Sequence, residues 1–395
     1  MHRTFKFRVY PTAEQAETLG QWVGVTRLVY NLALEQRRDF WRQYRANEGR
    51  SISVPSQCRE LTELRRAYDW IEAVPRHGLE AALHDLNKAY EAFFRGGGYP
   101  QPRRLGENDS IRFRGHETPV EALNSKWARV RVPKLGWVRL RMSRAIAGRP
   151  ATTTLRRAGD GWFMTVTSDI GEAPAYNSLP AVGIDRGVIN TFSLSNGEIY
   201  RLPNMTAVEK KRRRAQRVLA RRKRGSRRYS AQRRVVSRLA AQIGRIRAHH
   251  LHVASADLSR RFGVVALEDL KIGNMTASAK GTLAEPGRRV AQKAGLNRSI
   301  LAQGWGMFAA QLDYKLEAAG GRLISVPAAY TSQTCAGCGV VDARSRKSQA
   351  VFECGHCGHS AHADTNAAIE ILRRSTAVVE KRHSGRSCEA RTLAA

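Results

Sequence analysis

Three carboxylates stand where apolar runs begin or end. Asp185 closes the run Ala-Val-Gly-Ile, Glu268 closes Val-Val-Ala-Leu, and Asp364 opens the segment Asp-Thr-Asn-Ala-Ala-Ile-Glu-Ile-Leu. Each acid is therefore held at the edge of a core, and strand ends of α/β sheets are where sites collect. Carboxylate oxygens suit hard divalent cations such as Mg²⁺ or Mn²⁺, which keep several waters when bound. Two such ions roughly 3.5–4 Å apart can activate a water and stabilise a leaving oxygen in phosphodiester hydrolysis, one carboxylate bridging them. A single acid so placed is more often a helix cap or a solvated strand end. Three beside three apolar runs favour a shared metal site.

A second set of metal-binding types lies just before Asp364. Cys335 and Cys338 form one C-x-x-C pair, Cys354 and Cys357 another, with 15 residues between them. That is zinc-ribbon spacing, each pair lying in a Gly-rich knuckle. Four thiolates make a closed tetrahedral Zn²⁺ site, hence a structural one. His356, His359 and His362 are redundant as ligands once four thiolates are present. Cys58 and Cys388 stand alone and read as ordinary free thiols. Met1–Tyr10 interleaves charges with aromatics and has no apolar secretion core, so disulfides are disfavoured and a cytoplasmic location is expected.

Charge supplies the third feature. The 395 residues carry 67 Lys+Arg against 34 Asp+Glu, a formal net charge of +33. Such an excess repels itself in a compact state and makes sense against a polyanion. It clusters: Glu209–His250 holds 17 Lys or Arg and one acid, Glu209. Lys210, Lys211, Arg212, Arg213, Arg214, Arg221, Arg222, Arg224, Arg227 and Arg228 are the expected phosphate-backbone contacts, of the kind that position without reading bases. A charge run is more commonly a solvated helix face. Here the acidic partners are missing.

The elements that must position these groups follow from periodicity. Phe5, Phe7 and Val9 alternate with Lys6 and Arg8, which predicts a half-buried strand over Thr4–Tyr10. Thr12 and Gln15 suit a capping box, and Leu19, Trp22, Val25, Val29 and Leu32 follow at helical spacing. Helices are expected near Ser56–Tyr68 and His77–Phe94, the second stopped by Gly96–Gly98. Alternation at Val130–Val132 and Val138–Met142, then Thr152–Leu155 and Trp162–Thr167, predicts strands. The first part is thus a β-module interrupted by a helical insertion. Past a polar boundary at Gly171–Pro180, short strands are expected at Ala181–Ile184, Thr191–Ser195 and Glu198–Leu202, with Asn196-Gly197 as a hairpin turn. A long basic helical segment, a strand at Val264–Leu267, a helix at Trp305–Ala319, a strand at Leu323–Val326 and a helix at Asp364–Arg374 complete an α/β mixture. Residues after Ser375 read as a disordered tail. No run of about 18 apolar residues occurs, so no membrane span is expected.

Taken in order, FKFRVYPTAEQ with RLVYNLAL, GIDRGVINTFSLSNG, VVALEDLKI, QKAGLNRSILAQGWGMF, TSQTCAGCG, FECGHCG and HADTNAAIEIL resemble the TnpB family of transposon-encoded RNA-guided nucleases, relatives of the type V CRISPR effectors. The likeness covers nearly the whole chain. It implies an α/β multidomain protein: a wedge-type β-barrel (1–10 and 120–175) containing a helical recognition domain (11–119), then a RuvC-like nuclease domain of RNase H fold (179–375) with a zinc-ribbon insertion (328–361). It implies that Asp185, Glu268 and Asp364 are the catalytic acids, and that Arg346 matches an Arg near the scissile phosphate. The expected partners are a guide RNA from the transposon end and target double-stranded DNA beside a short target-adjacent motif, with a monomer in the ribonucleoprotein. Gly273–Arg298 reads as a lid. The competing expectations are an RNA-guided repressor that does not cut and a DNA transposase that needs no RNA.

Overall fold

The computed structural model describes residues 1–44, 52–107, 109–159, 161–172, 174–282 and 284–376. Cys388 and the expected tail beyond Thr376 lie outside them. The chain divides into two compact units: Met1–Glu172 with Val218–Ala241, and Ala173–Arg217 with Gln242–Ala395.

In the first unit, strand β1 (His2–Tyr10) is followed by helix α1 (Ala13–Tyr44), α2 (Val54–Ala67), α3 (Asp69–Glu72) and α4 (Arg76–Phe94). Strands β2 (Ser110–Arg114), β3 (Val120–Ala122), β4 (Trp127–Val132), β5 (Gly136–Arg141), β6 (Arg149–Ala158) and β7 (Gly161–Asp169) complete it. The seven strands form one sheet in the order β2-β6-β7-β1-β5-β4-β3. The alternation read in β1 is real: Phe5, Phe7 and Val9 are buried beside Met164, Val166, Val138 and Leu140. On the other face Lys6 lies 4.6 Å from the Phe163 ring centroid, and Arg129 lies 4.3 Å from that of Trp137. These cations are packed on aromatics as well as solvated. The capping box forms: Gln15 N–H donates to Thr12 Oγ1 at 3.2 Å and Thr12 N–H to Gln15 Oε1 at 3.1 Å. The helical stretch ends earlier than the sequence suggested. Ser110–Arg114, inside the segment expected to be helical to 119, is a strand paired with β6, because Ile111 and Phe113 are needed in the sheet's core.

The second unit holds β8 (Ala181–Asp185), β9 (Phe192–Leu194) and β10 (Ile199–Tyr200), then α5 (Thr206–Ala220) and α6 (Arg227–Arg261), which also run through the first unit's residues. It continues with β11 (Val264–Glu268), α7 (Ile272–Met275), α8 (Val290–Gln303), α9 (Trp305–Ala318), β12 (Arg322–Val326), β13 (Val351–Glu353) and β14 (Ser360–His362). A last helix, α10, occupies 363–376. The main sheet runs β10-β9-β8-β11-β12, with β8, β11 and β12 parallel. The Asn196-Gly197 hairpin joins β9 to β10. Gly197 sits at φ +89°, and its N–H donates to Leu194 O at 3.0 Å, the pattern of a type I turn closed by a left-handed residue. Val182, Ile184, Val265 and Leu267 point to one face and pack with Leu251, Leu258, Phe308 and Leu312 of α6 and α9. The expected lid stretch, Gly273–Arg298, carries α7 and the first turns of α8. Gly304, at φ +72°, breaks α8 from α9; a Cβ there would lie 2.9 Å from Leu251 Cδ1.

Candidate active site

The parallel register that sets Ile184 beside Leu267 places Asp185 and Glu268, the next residue of each strand, at the same sheet end. Gly183 and Asp185 share one face, as do Ala266 and Glu268. On that face lies α10. A Cβ on Gly183 would come 2.1 Å from Ala368 O, so this approach requires glycine. Ala266, Val326 and Ile371 form the small apolar seat beneath the helix. That seat fixes the start of α10, and with it Asp364, near the strand ends.

Glu268 and Asp364 are each 9% exposed. Burial, then the charges of Glu268 and Asp364, push the Asp185 carboxyl up to about 7, against partial relief from the Arg186 backbone N–H and Arg346. Like charges forced together in a desolvated site behave this way. The protein itself supplies only part of the compensation. Asn190 Nδ2 donates to Asp364 Oδ2 at 3.0 Å, and Arg201 Nε donates to Asn190 Oδ1 at 3.0 Å. The Thr331 hydroxyl donates to Glu268 Oε1. Arg346 Nη2 lies 3.6 Å from Asp364 Oδ1. Arg186, 8% exposed, donates through Nη2 to the Glu268 backbone carbonyl, and burial lowers its pKa. Three oxygen-donor acids with residual mutual repulsion fit hard divalent cations.

The cysteines close a second site. Among the described residues, Cys335, Cys338, Cys354 and Cys357 are the group whose donor atoms all lie within 4.8 Å of one another. Cys335 and Cys357 sulfurs are 3.6 Å apart, and Cys338 and Cys354 sulfurs 3.7 Å. A tetrahedron with Zn–S bonds of about 2.3 Å requires roughly 3.8 Å between sulfurs. Each knuckle is closed by a backbone bond, Gly339 N–H to Cys335 O at 2.9 Å and Gly358 N–H to Cys354 O at 3.0 Å. Both glycines have positive φ. Backbone N–H groups of Cys357 and His356 hold the Cys354 thiol down to about 6, while hydrogen bonding with Cys338, Cys335 and Cys354 pushes Cys357 up to about 12, so full thiolate ligation needs a cation to displace the remaining protons. The ribbon is tied to the acids through α10. Buried Asn366 accepts from Ala336 N–H at 2.9 Å and donates to Thr334 O at 2.8 Å. Buried Glu370 accepts from Arg373 and Arg374, and Arg374 in turn donates to Ala329 O and Thr334 Oγ1.

Of the basic residues singled out from sequence, Arg346 is the one brought to the carboxylates. Lys210, Lys211, Arg213, Arg214, Arg221, Arg222, Arg224, Arg227 and Arg228 are exposed on α5, α6 and the turn between them; Arg212 is half-buried. Sequence reasoning missed Asn190, Thr331, Arg186 and Asn366. Arg186 and Asn190 were within reach, since they follow Asp185 by one and five residues. Nothing in the local pattern marked the other two.

Comparison with known proteins gives the same picture at two levels. A solved chain described as a Cas12f1–sgRNA–target DNA complex superposes with a TM-score of 0.59 at 13% identity, covering 94% of this chain and 98% of that one. The architecture is therefore that of the compact type V effectors. A protein of Escherichia coli (strain K12) that carries the name RNA-guided DNA endonuclease InsQ is 36% identical over 95% of this chain and 93% of its own length. A Streptomyces pristinaespiralis protein similarly named is 29% identical over 94% and 88%. Family models described as "Cas12f1-like, TNB domain", "Probable transposase" and "Helix-turn-helix domain" match residues 305–371, 165–279 and 1–46. The chain belongs to the TnpB family of transposon-encoded RNA-guided endonucleases. Among the described residues of the helix-turn-helix match, 1–44, there are a strand and one long helix rather than a helix pair.

Proposed function

We propose that the protein is an RNA-guided DNA endonuclease that hydrolyses target phosphodiester bonds at Asp185, Glu268 and Asp364. The observation that carries this is the placement of the three acids at one sheet end, Glu268 and Asp364 buried and Asp185 half-buried, where burial and its two neighbours' charges push the Asp185 carboxyl up to about 7. Mg²⁺ or Mn²⁺, as a pair in the two-ion scheme, would supply a polarised water and neutralise the leaving oxygen. Asp185, Glu268 and Asp364 would hold the cations. Asn190 and Thr331 fix the rotamers of Asp364 and Glu268. Arg346, 3.6 Å from Asp364, is positioned to turn toward a phosphate oxygen. The four cysteines, loaded with Zn²⁺, stiffen the segment that delivers Asp364.

In this reading residues 179–375 form a RuvC-like nuclease domain with its zinc ribbon at 328–361. The seven-stranded sheet is the wedge-type module, and α1–α4 belong to the recognition insertion. Among the described residues that module's strand order runs from β2 to β3 without those two pairing, an open sheet where a closed barrel was expected. The exposed cations of α5 and α6 hold nucleic-acid backbone. A guide RNA supplies sequence, a short target-adjacent motif licenses the duplex, and the work is done by a monomer in the bacterial cytoplasm. All three acids are present, which disfavours a repressor that only binds. An RNA-independent transposase would use the same acids.

Exchanging the target-matching segment of the guide separates these readings. Cleavage of matched and unmatched plasmids should follow the new guide, because pairing sets the site. A cut that stays with the protein would sink the RNA-guided reading in favour of the transposase.

A further inference from the structure

The ends of α1 and α4 enclose a groove that the nuclease reading does not use. Its cavity is about 910 Å³, and its walls include Phe40, Trp41, Tyr44, Tyr90, Phe94 and Tyr99. Trp41 is 59% exposed and Phe94 79%, unusual for side chains of that size clustered on one surface. The rings are arranged in pairs: Phe40–Tyr44 at 4.9 Å, Tyr90–Tyr99 at 5.8 Å and Tyr90–Phe94 at 6.3 Å between centroids. Arg37, Arg38 and Arg42 line the same groove. Arg37 lies 5.4 Å from the Tyr90 ring centroid, and its buried Nη2 has no hydrogen-bond partner.

We propose that this groove binds unpaired nucleotides of an RNA strand, bases stacked on the aromatic walls and phosphates on the arginines. Exposed rings interleaved with guanidiniums are what single-stranded nucleic acid requires, since every base has a π-face and every linkage a charge. A second copy of the chain is disfavoured, because it would set one net positive wall against another: Arg37, Arg38 and Arg42 outnumber Glu91 and Asp39, the latter shared between Arg38 at 3.2 Å and Arg42 at 3.9 Å. The wall also carries a carboxylate. Glu91 accepts from Asn87 Nδ2 at 2.7 Å, and Asn87 Oδ1 accepts from Arg37 at 3.2 Å. A fixed carboxylate repels phosphate and suits a hydroxyl donor, so it selects ribose through the 2′-OH. The proposal rests on the reading that the protein carries an RNA.

The test uses the full-length protein in 0.5 M salt, about where backbone attraction is largely suppressed. A fluorescent single-stranded adenine ribohexamer, its deoxy counterpart and a 5-iodouridine ribohexamer for photocrosslinking are the probes. Trp41→Ala and Phe94→Ala should each weaken the ribohexamer roughly ten-fold, the loss of one stacked base. Trp41→Phe, which keeps a ring, should restore most of it and shows that a loss reflects stacking and not misfolding. Crosslinks should map to Phe40–Tyr44 or Tyr90–Tyr99, and the deoxyhexamer should bind several-fold more weakly. Equal binding of the two sugars, crosslinks elsewhere, or unchanged affinity in both alanine variants overturns the proposal. So does a change in oligomeric state by light scattering, which would make a second copy the occupant. The hexamers involve no guide and no cleavage, so failure here is distinct from failure of the guide exchange.

Discussion

Asp185, Glu268 and Asp364 are gathered and largely withdrawn from solvent, whereas the cations of Lys210–Arg228 stand almost all exposed along their helices. The two regions pose the same electrostatic problem with opposite signs. The acids are few and largely desolvated, and the Asp185 carboxyl is raised by burial and its two neighbours, so in the proposed site each acid has its own part. The cations are many and hydrated, so each contributes a small share of a summed field. Single substitutions should therefore be severe in the first region and mild in the second.

The sharpest break comes from Glu268→Gln or Asp364→Asn. Each keeps shape and removes an anionic ligand, so cleavage should fall by roughly 10³-fold, the equivalent of several kcal/mol. Guide-dependent DNA binding, measured by gel shift, should stay within about two-fold, because affinity comes from backbone contacts and pairing. EDTA should reproduce both results. Cleavage by Asp364→Asn at the wild-type rate would remove Asp364 from the ligand set.

Next in size is Cys354→Ser. Metal analysis should find about one Zn²⁺ per wild-type chain and clearly less in the variant, since a structural site couples metal binding to folding. Asn366 and Arg374 transmit the loss to α10, so proteolysis near the knuckles should rise and cleavage should drop with it. A zinc-free preparation of full activity would refute the structural role.

Asn190→Ala probes the support of the acids. Residues that orient metal ligands are worth roughly 10–100-fold in metal affinity or activity. The variant should need more Mg²⁺ for half-maximal cleavage, while the Asp364 carboxylate itself remains. An unchanged Mg²⁺ dependence would leave the Asn190–Asp364 bond without a catalytic role.

How much of this could be read from sequence follows the same division. The acids were legible because each interrupts an apolar run, and the cysteines because their spacing is a metal geometry in one dimension. Thr331 was not, because its partner Glu268 lies 63 residues away and a lone polar residue in a loop has no period. Ser110–Arg114 was lost inside a helical segment, as its alternation spans only five residues. The exposed rings at the ends of α1 and α4 went unremarked, since helical spacing alone does not say which apolar face lacks a partner.

A smaller effect is expected from Arg212, Arg213 and Arg214 changed together to Ala. Each lost phosphate contact removes roughly 0.9 from the log–log salt slope for duplex, about 0.7 for single strands. The slope should become shallower by at most three such steps, and by the same amount for every guide sequence. A loss confined to one sequence would mean base readout.

A last shift has the opposite sign to all the others. Asp185 titrates near 7 in the folded chain against an ordinary 3.8. Between those values the folded state holds a proton the unfolded state has released, so metal-free stability falls as pH rises through that window and is flat above it. The penalty is at most about 4 kcal/mol, from 1.36 kcal/mol per unit, and a chain of this size converts that into a few degrees of Tm. Asp185→Asn removes the charge and keeps the shape. In EDTA at pH 8 the variant should melt a few degrees above the wild type, and near pH 4 the two should converge. Adding Mg²⁺ should raise the wild-type Tm at pH 8 and leave the variant nearly unmoved, because the cation relieves a repulsion the variant no longer has. A variant that melts below the wild type at pH 8 in EDTA would show that the Asp185 carboxylate is stabilised by its surroundings, and the crowding argument for a cation site would fail with it.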